Sequence, residues 1–268
     1  MIAAGLLLFS IGVADLSRQF LGRGSRAARI GASIAVVLLV AVLSTAIVTW
    51  PLAVLVAVIA FAWLALMPST KDAAILGFWP VIGIAIAVAS LVALTPATAT
   101  GWATTSWTAH ALLGKVVLLA GVGCFLLESA NIVVRVALQS ERSDLSSVAR
   151  PVPPPLPRSA AARLLLRLRR PAPAEPTAPT KQLRGGRLIG PLERLFVVGL
   201  IFTSAVALLA AFIAAKGIVR FPEIQKDNAG GTQAEYFLVG SMASWGIALA
   251  SAGLLWVVGA TPGGLGIS

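Results

Sequence analysis

The chain has 268 residues, of which 58% are apolar and 12% are charged, and its mean hydropathy is +0.92. Soluble domains are about 45–50% apolar and about 25% charged, so a soluble fold of this length could not cover so much apolar surface. The composition therefore predicts a polytopic membrane protein. It argues against a secreted, a disordered or a nucleic-acid-binding chain.

The net charge of +11 is concentrated in two stretches. Residues 15–29 hold four arginines and one aspartate, and residues 139–187 hold ten basic and three acidic side chains, so together they contribute +10. Basic loops beside apolar spans are typical of cytoplasmic segments. They also attract anionic lipid headgroups. We therefore expect a lipid bilayer with anionic lipids at its cytoplasmic face as the partner, and no nucleic acid.

Long apolar runs predict about seven transmembrane segments. The runs are unbroken and lack the alternation of a β-barrel, so the predicted fold class is all-α. The segments cover residues 2–16, 30–49, 51–67, 73–94, 109–136, 192–215 and 236–258. The first run has no basic n-region, which favours an uncleaved first span that ends in a basic loop beginning at Asp15. The positive-inside rule then places the N-terminus outside.

These segments divide the chain into four parts. An N-terminal membrane region (1–138) is followed by a cytoplasmic linker (139–187), a C-terminal membrane region (188–258) and a flexible tail (259–268). Small residues in the last span would also suit tight helix packing or a homo-oligomer.

The linker is rich in proline and arginine. Nine of the sixteen prolines lie between residues 151 and 179, which favours extended polyproline conformations that act as spacers or as peptide ligands. Between the proline runs, Ser159 can cap a short helix with leucines on one face and arginines on the other. Such a helix would lie on the lipid surface, and a disordered basic linker is the alternative. The candidate lipid-surface residues are Arg163, Arg167, Arg169 and Arg170.

The fifth predicted span contains charges at helical spacing. Glu128, Asn131 and Arg135 fall on one face of a helix, where they could form a polar patch within the membrane. Alternatively, they mark a helix end that has reached the lipid interface.

The sixth predicted span allows two arrangements. If residues 192–215 cross once, Lys216 and Arg220 lie outside, against the charge bias of the remaining chain. A bend near Thr203 would instead form a helical hairpin, return these charges to the cytoplasm and place Glu193 opposite Lys216. An ion pair there would reduce the cost of charge at membrane depth. The length of the apolar run favours the crossing, and the charge bias favours the hairpin.

The same region resembles an uncharacterised family of bacterial integral-membrane proteins, over about residues 185–258. The family pattern reads G-R-x-I-G-x-L-E-R, then A-A-K-x-I-x-R-F-x-E, then A-E-Y-x-L-x-G. The matching residues are Gly186, Arg187, Ile189, Gly190, Leu192, Glu193, Arg194, Ala214, Ala215, Lys216, Ile218, Arg220, Phe221, Glu223, Ala234, Glu235, Tyr236, Leu238 and Gly240. The resemblance implies a bacterial plasma membrane and marks residues of interest, without an activity.

The sequence contains none of the motifs that we associate with catalysis. It lacks H-E-x-x-H, G-x-S-x-G and G-x-x-x-x-G-K-[ST] patterns, so we expect no catalytic residues, no metal ion and no cofactor. Two function classes are favoured over a lipid-modifying enzyme. The first is binding or transport of a small anionic solute or lipid headgroup, and the second is a membrane scaffold whose linker recruits a cytoplasmic protein. The candidate ligand-binding residues are Glu128, Asn131, Arg135, Glu193, Arg194, Lys216, Arg220, Glu223 and Glu235.

Overall fold

The fold is all-helical in the part of the chain that the computed structural model describes, which is residues 1–21, 25–67, 77–94, 107–148, 186–225 and 232–260. A π-helical turn, Phe125–Ser129, joins the fifth and sixth α-helices without a break. In these ranges the α-helices are α1 (Ile2–Phe20), α2 (Arg26–Ser44), α3 (Trp50–Leu66), α4 (Trp79–Leu94), α5 (Trp107–Cys124), α6 (Ala130–Val148), α7 (Gly186–Phe202), α8 (Val206–Gln225) and α9 (Thr232–Ala260).

Local sequence signals account for several helix ends. Ser25 caps α2, because its hydroxyl oxygen accepts a hydrogen bond from the Ala28 amide at 3.1 Å. Pro51 occupies the first turn of α3, where an amide donor is not needed. At the other end of α3, Arg18 Nη2 donates to the Leu64 carbonyl oxygen at 2.7 Å. A cation at a helix C-terminus satisfies a carbonyl that lacks an intrahelical partner.

Helix α1 lies at the centre of the N-terminal region and packs against α2, α3, α4, α5 and the π turn. Glycines allow α1 and α5 to approach closely. A Cβ atom on Gly5 would lie 2.8 Å from the Leu118 backbone, and one on Gly12 would lie 2.5 Å from the Cys124 backbone. Gly5 lies beside Leu118, and the later residue Gly12 lies beside the later residue Cys124, so α1 and α5 run parallel.

The prediction that the first span ends at residue 16 and that Asp15 begins a basic loop is wrong. Helix α1 continues to Phe20, and Asp15 is completely buried within it. Trp63 on α3 and Ser129 in the π turn donate hydrogen bonds to one of its oxygens and so reduce the cost of this burial.

The continuous helix formed by α5, the π turn and α6 joins the two membrane regions. Helix α1 packs along α5 and the π turn, whereas α7 and α9 pack against α6. Helix α6 extends to Val148 and so includes the first residues of the predicted linker. The remainder of the linker, including the four arginines of its predicted amphipathic helix, lies outside the described residues, as does most of the predicted tail.

The chain reverses direction between α7 and α8, so a single crossing by residues 192–215 is wrong. Ser204, in the turn that joins the helices, has a φ of 53°, in the left-handed region. The Phe196 and Phe212 rings then meet at 5.2 Å between centroids, and Lys216 forms an ion pair with Glu193. In one straight helix, residues 193 and 216 would be about 35 Å apart. Of the two arrangements that the sequence allows, the structure therefore has the hairpin, with the ion pair between Glu193 and Lys216.

In the described part of the chain, four helical segments are long and apolar enough to cross a membrane: Ile2–Phe20, Ala27–Ser44, Leu112–Gln139 and Phe237–Val258. Trp50–Leu66, Trp79–Ala93 and Val206–Val219 are apolar but shorter. Large apolar side chains point outward along α2, α3 and α8, which suits contact with lipid. The described fold is thus that of a helical membrane protein, and the number of seven spans remains a prediction.

The close approach of α1 and α5 can be tested by adding one methyl group. In Gly121→Ala, the new Cβ collides with the Gly5 carbonyl oxygen, so we expect unfolding to become easier by about 1–3 kcal/mol. Gly123→Ala is the matched control, because within the described residues its Cβ meets nothing within 4 Å. It should be neutral or stabilising by up to about 1 kcal/mol. Thermal unfolding in detergent compares the two, and equal midpoints would contradict this packing.

If α7 and α8 form a hairpin, the start of α7 and the end of α8, which are its two open ends, should lie close together. Leu188 and Val219 are both exposed, so spin labels on cysteines at these positions should not disturb the core. With Cys124 replaced by alanine, pulsed electron resonance should give a separation of about 10–20 Å, set by the spacing of packed helices and the label length. A separation near 45 Å, as in one continuous helix, would contradict the hairpin.

Candidate functional site

Among the described residues, six charged side chains that are buried or partly buried lie in three neighbouring clusters. Adjacent residues link them: Glu128 and Ser129 share the π turn, Glu193 and Arg194 share α7, and Ser244 and Trp245 share α9. The Asp15 cluster contains Asp15, Arg18, Trp63 and Ser129. The Arg194 cluster contains Glu128, Asn131, Arg194 and Ser244, and the Lys216 cluster contains Glu193, Lys216, Phe237 and Trp245.

Arg194 is buried, with 2% of its surface exposed, and connects α7 to three other elements. Its Nε donates to the Ser244 hydroxyl at 3.0 Å. Its Nη1 donates to Asn131 Oδ1 at 2.9 Å and to the Leu126 carbonyl oxygen in the π turn at 3.1 Å. All three acceptors are neutral. The Asn131 amide donates in turn to Glu128 Oε2 at 3.4 Å, so this carboxylate acts on Arg194 through an intervening amide.

Gly190 brings the backbone of α7 close to the third nitrogen of Arg194 and to Asn131. A Cβ atom at Gly190 would lie 3.3 Å from Asn131 Oδ1 and 3.5 Å from Arg194 Nη2. Among the hydrogen bonds made with the described residues, none uses Nη2. A charged donor whose N–H group has no acceptor among the neighbouring residues can donate a hydrogen bond to an oxygen atom of a small ligand.

The Lys216 cluster closes the hairpin. Lys216 pairs with Glu193, whose Oε1 also accepts a hydrogen bond from Trp245 Nε1 at 2.9 Å. The ammonium lies 5.1 Å from the Trp245 ring and 5.9 Å from the Phe237 ring. Such distances allow cation–π attraction, so the charge of Lys216 is already engaged on several sides.

The Asp15 cluster joins α1, α3 and the π turn. Asp15 Oδ2 accepts hydrogen bonds from Trp63 Nε1 at 3.0 Å and from Ser129 Oγ at 2.7 Å. Arg18 Nη1 lies 3.7 Å from Asp15 Oδ1, which is longer than a hydrogen bond. The carboxylate is thus held through one oxygen only.

The structure assembles five of the nine candidate residues. Glu128, Asn131, Glu193, Arg194 and Lys216 lie in two contacting clusters. Arg135 lies on α6, half-buried, and Glu235 is exposed near the start of α9. The side chains of Arg220 and Glu223 lie outside the described ones.

Sequence reasoning missed the Asp15 cluster and the partners of Arg194. Asp15 and Arg18 are separated by one helical turn, which is a usable signal for a paired charge inside a longer first span. Trp63, Ser129 and Ser244 gave no such signal, because isolated tryptophans and serines in apolar helices are common and only the tertiary fold identifies their partners.

Within the described ranges, no group of three or more His, Cys, Asp or Glu side chains could hold a metal ion. No protein-family model, curated protein or solved structure matches the chain. The site is therefore interpreted from its own contacts.

Because Glu193 and Lys216 form an ion pair, substitutions at the two positions should have non-additive effects on stability. Lys216→Met leaves Glu193 partly buried without its cation, and we expect a loss of about 1–3 kcal/mol, between the values of exposed and buried pairs. The exchange Glu193→Lys with Lys216→Glu should recover part of this loss, because the Trp245 hydrogen bond is not restored. Glu235→Gln, at an exposed position, is the control and should change little. Additive single and double effects in thermal unfolding would argue against the pair.

Proposed function

We propose that the chain is a multi-pass protein of the bacterial plasma membrane that binds or transports a small anionic solute or an anionic lipid headgroup at the Arg194 cluster. The observation that carries the proposal is the buried guanidinium of Arg194, which is hydrogen-bonded to neutral acceptors only. Charge at membrane depth is costly, so its retention indicates a role. A bound anion would add a directly hydrogen-bonded negative partner to the more distant charges of Glu193 and Glu128.

The unused Nη2 donor of Arg194 supports a ligand that reaches the guanidinium through one or two oxygen atoms. Nη2 is the nitrogen next to Gly190, and Asn131 Oδ1 lies beside it. Carboxylates and phosphates match the planar fork of a guanidinium, and their hydrogen bonds are charge-assisted. The ligand class is therefore a carboxylate or a phosphate, free or in a lipid headgroup.

The Lys216 cluster has a supporting part in this proposal. Lys216 and Glu193 neutralise each other and hold α8 against α7 and α9, so they position Arg194 instead of binding the ligand. Arg220, Glu223 and Glu235 remain candidate ligand-binding residues from the sequence, and nothing in the Arg194 cluster depends on them.

The proposed topology follows the distribution of Lys and Arg. With the basic stretches 15–29 and 139–187 in the cytoplasm, the N-terminus lies outside, and both open ends of the hairpin lie at the cytoplasmic face. The seven apolar segments of the sequence become eight when the hairpin counts as two. Arg194 then lies in the cytoplasmic half of the membrane, near the start of α7.

Binding to the purified full-length protein in phosphatidylcholine nanodiscs tests the proposal. Inorganic phosphate and acetate are titrated calorimetrically as free anions, and phosphatidylglycerol is offered in mixed nanodiscs and detected by native mass spectrometry. Arg194→Gln should weaken the binding of the preferred anion about ten- to a hundredfold, the usual loss for hydrogen bonds to a charged group. Gly190→Ala should weaken it by partly filling the site.

The matched control is Gly199→Ala on the same helix, whose Cβ would meet nothing within 4 Å among the described residues. Its binding should equal that of the unmodified protein. Binding of phosphate or acetate indicates a free solute, and retention of phosphatidylglycerol alone indicates a lipid headgroup. If no anion binds, or if Arg194→Gln and Gly190→Ala bind as well as Gly199→Ala, the proposal is wrong.

A further inference from the structure

Asp15 is a buried carboxyl group that has no role in the proposed anion site. Its side chain is completely buried, and its two oxygens differ in their surroundings. Oδ2 accepts hydrogen bonds from Trp63 and Ser129. In the part of the chain that the structure describes, no hydrogen bond reaches Oδ1. A buried polar atom without a partner requires an explanation, because such an atom costs free energy comparable to a lost hydrogen bond.

Arg18 does not supply the missing partner. Its Nη1 lies 3.7 Å from Oδ1 and is likewise without a hydrogen bond among the described residues, whereas Nη2 is bound to the Leu64 carbonyl oxygen. The guanidinium is thus attached to the end of α3 and is not drawn onto the carboxylate. It stabilises the negative charge at a distance and leaves Oδ1 open.

The charged groups near Asp15 have opposite effects on the ionisation of its carboxyl group. Arg18 on the same helix favours the ionised form, and Glu128 in the π turn disfavours it. Helix α5 contributes the Cys124 thiol, next to Gly12, and α2 contributes Arg29, one turn before Ser33, whose hydroxyl bonds the Ala14 carbonyl oxygen. Helices α3 and α4 contain no titratable residue. Neither protonation state is therefore fixed by a close ion pair.

We propose that Asp15 is a proton-binding site, in which a proton from water adds to Oδ1 and is released again while Trp63 and Ser129 hold Oδ2. Addition forms one O–H bond on Oδ1 while one O–H bond of a hydronium ion breaks and leaves water, and the hydrogen bonds that position the carboxyl group stay intact. Arg18 keeps its bond to Leu64 in both states. The inference does not depend on the proposed anion site, which lies on the other side of the π turn.

Infrared spectroscopy can observe this one carboxyl group without altering it. The chain has four aspartates, at positions 15, 72, 144 and 227. Replacing Asp72, Asp144 and Asp227 by asparagine leaves Asp15 as the sole aspartate. The full-length protein is then expressed with aspartate labelled with ¹³C in the side chain and reconstituted in phosphatidylcholine vesicles. Spectra are recorded between about pH 4 and 9, which covers the usual range of protein carboxyls.

The expected result is a reversible conversion of the labelled band between the carboxylate and the protonated carboxyl form. Ser129→Ala removes one hydrogen bond to Oδ2, so the labelled carboxylate band should shift in frequency and still convert. A labelled group that stays ionised at every pH would show a fixed ion pair with Arg18, and one that stays protonated would show a permanent hydrogen-bond donor. Either result overturns the proposal.

A second measurement uses the natural aspartates. The purified protein is titrated between the same pH limits in weakly buffered solution, and proton uptake is compared with that of Asp15→Asn, which preserves the shape of the side chain. The unmodified protein should take up one more proton per chain. Equal uptake by two folded proteins would overturn the proposal. If Asp15→Asn does not fold, the infrared result decides alone. Neither experiment contains the anion, so failure of the anion site leaves both unaffected.

Discussion

The structure depends on the cost of placing charge in an interior that contains no bulk water. A charged side chain in a membrane is tolerated only when partners in the same chain replace its hydration. The three clusters hold three acidic and three basic side chains: Asp15, Glu128, Glu193, Arg18, Arg194 and Lys216. Their partners lie on α1, α3, the π turn, α6, α7, α8 and α9. The packing of these helices is thus tied to the neutralisation of the charges, because removing any helix would leave a charge without its partner.

The π turn allows one continuous helix to contribute residues to both the Asp15 cluster and the Arg194 cluster. Within it, Ser129 faces Asp15, while the Leu126 carbonyl oxygen accepts from Arg194 and Glu128 bonds to Asn131. A wider turn rotates the following residues relative to a regular α-helix, and such turns are frequent at functional sites. This accounts for α1 packing along the first half of the long helix and α7 and α9 along the second.

The sequence predicts those elements that depend on a local pattern of residues. Apolar runs identified the helices. The spacing of Glu193 and Lys216 about Thr203–Ser204 suggested a hairpin as one of two arrangements, because opposite positions in a hairpin sum to a constant, but the length of the apolar run equally allowed a single crossing. The Asp15 cluster was not predicted, since an aspartate near the end of an apolar run equally indicates a loop. The hydrogen bonds of Arg194 reach residues 50 and 68 positions away, and no local pattern reports contacts at such separations.

The two proposed sites have complementary charge. Arg194 is a cation whose hydrogen-bonded partners are neutral, and Asp15 is a carboxyl group with one oxygen open. An anion at the first site and a proton at the second would leave the total charge of the buried clusters unchanged, whereas either ligand alone would change it by one. In a medium of low dielectric, this difference favours occupancy of both sites together. Because such coupling is reciprocal, the proton would promote anion binding as much as the anion promotes proton binding. Both ligands act on the same π turn, so the turn provides a physical connection between them.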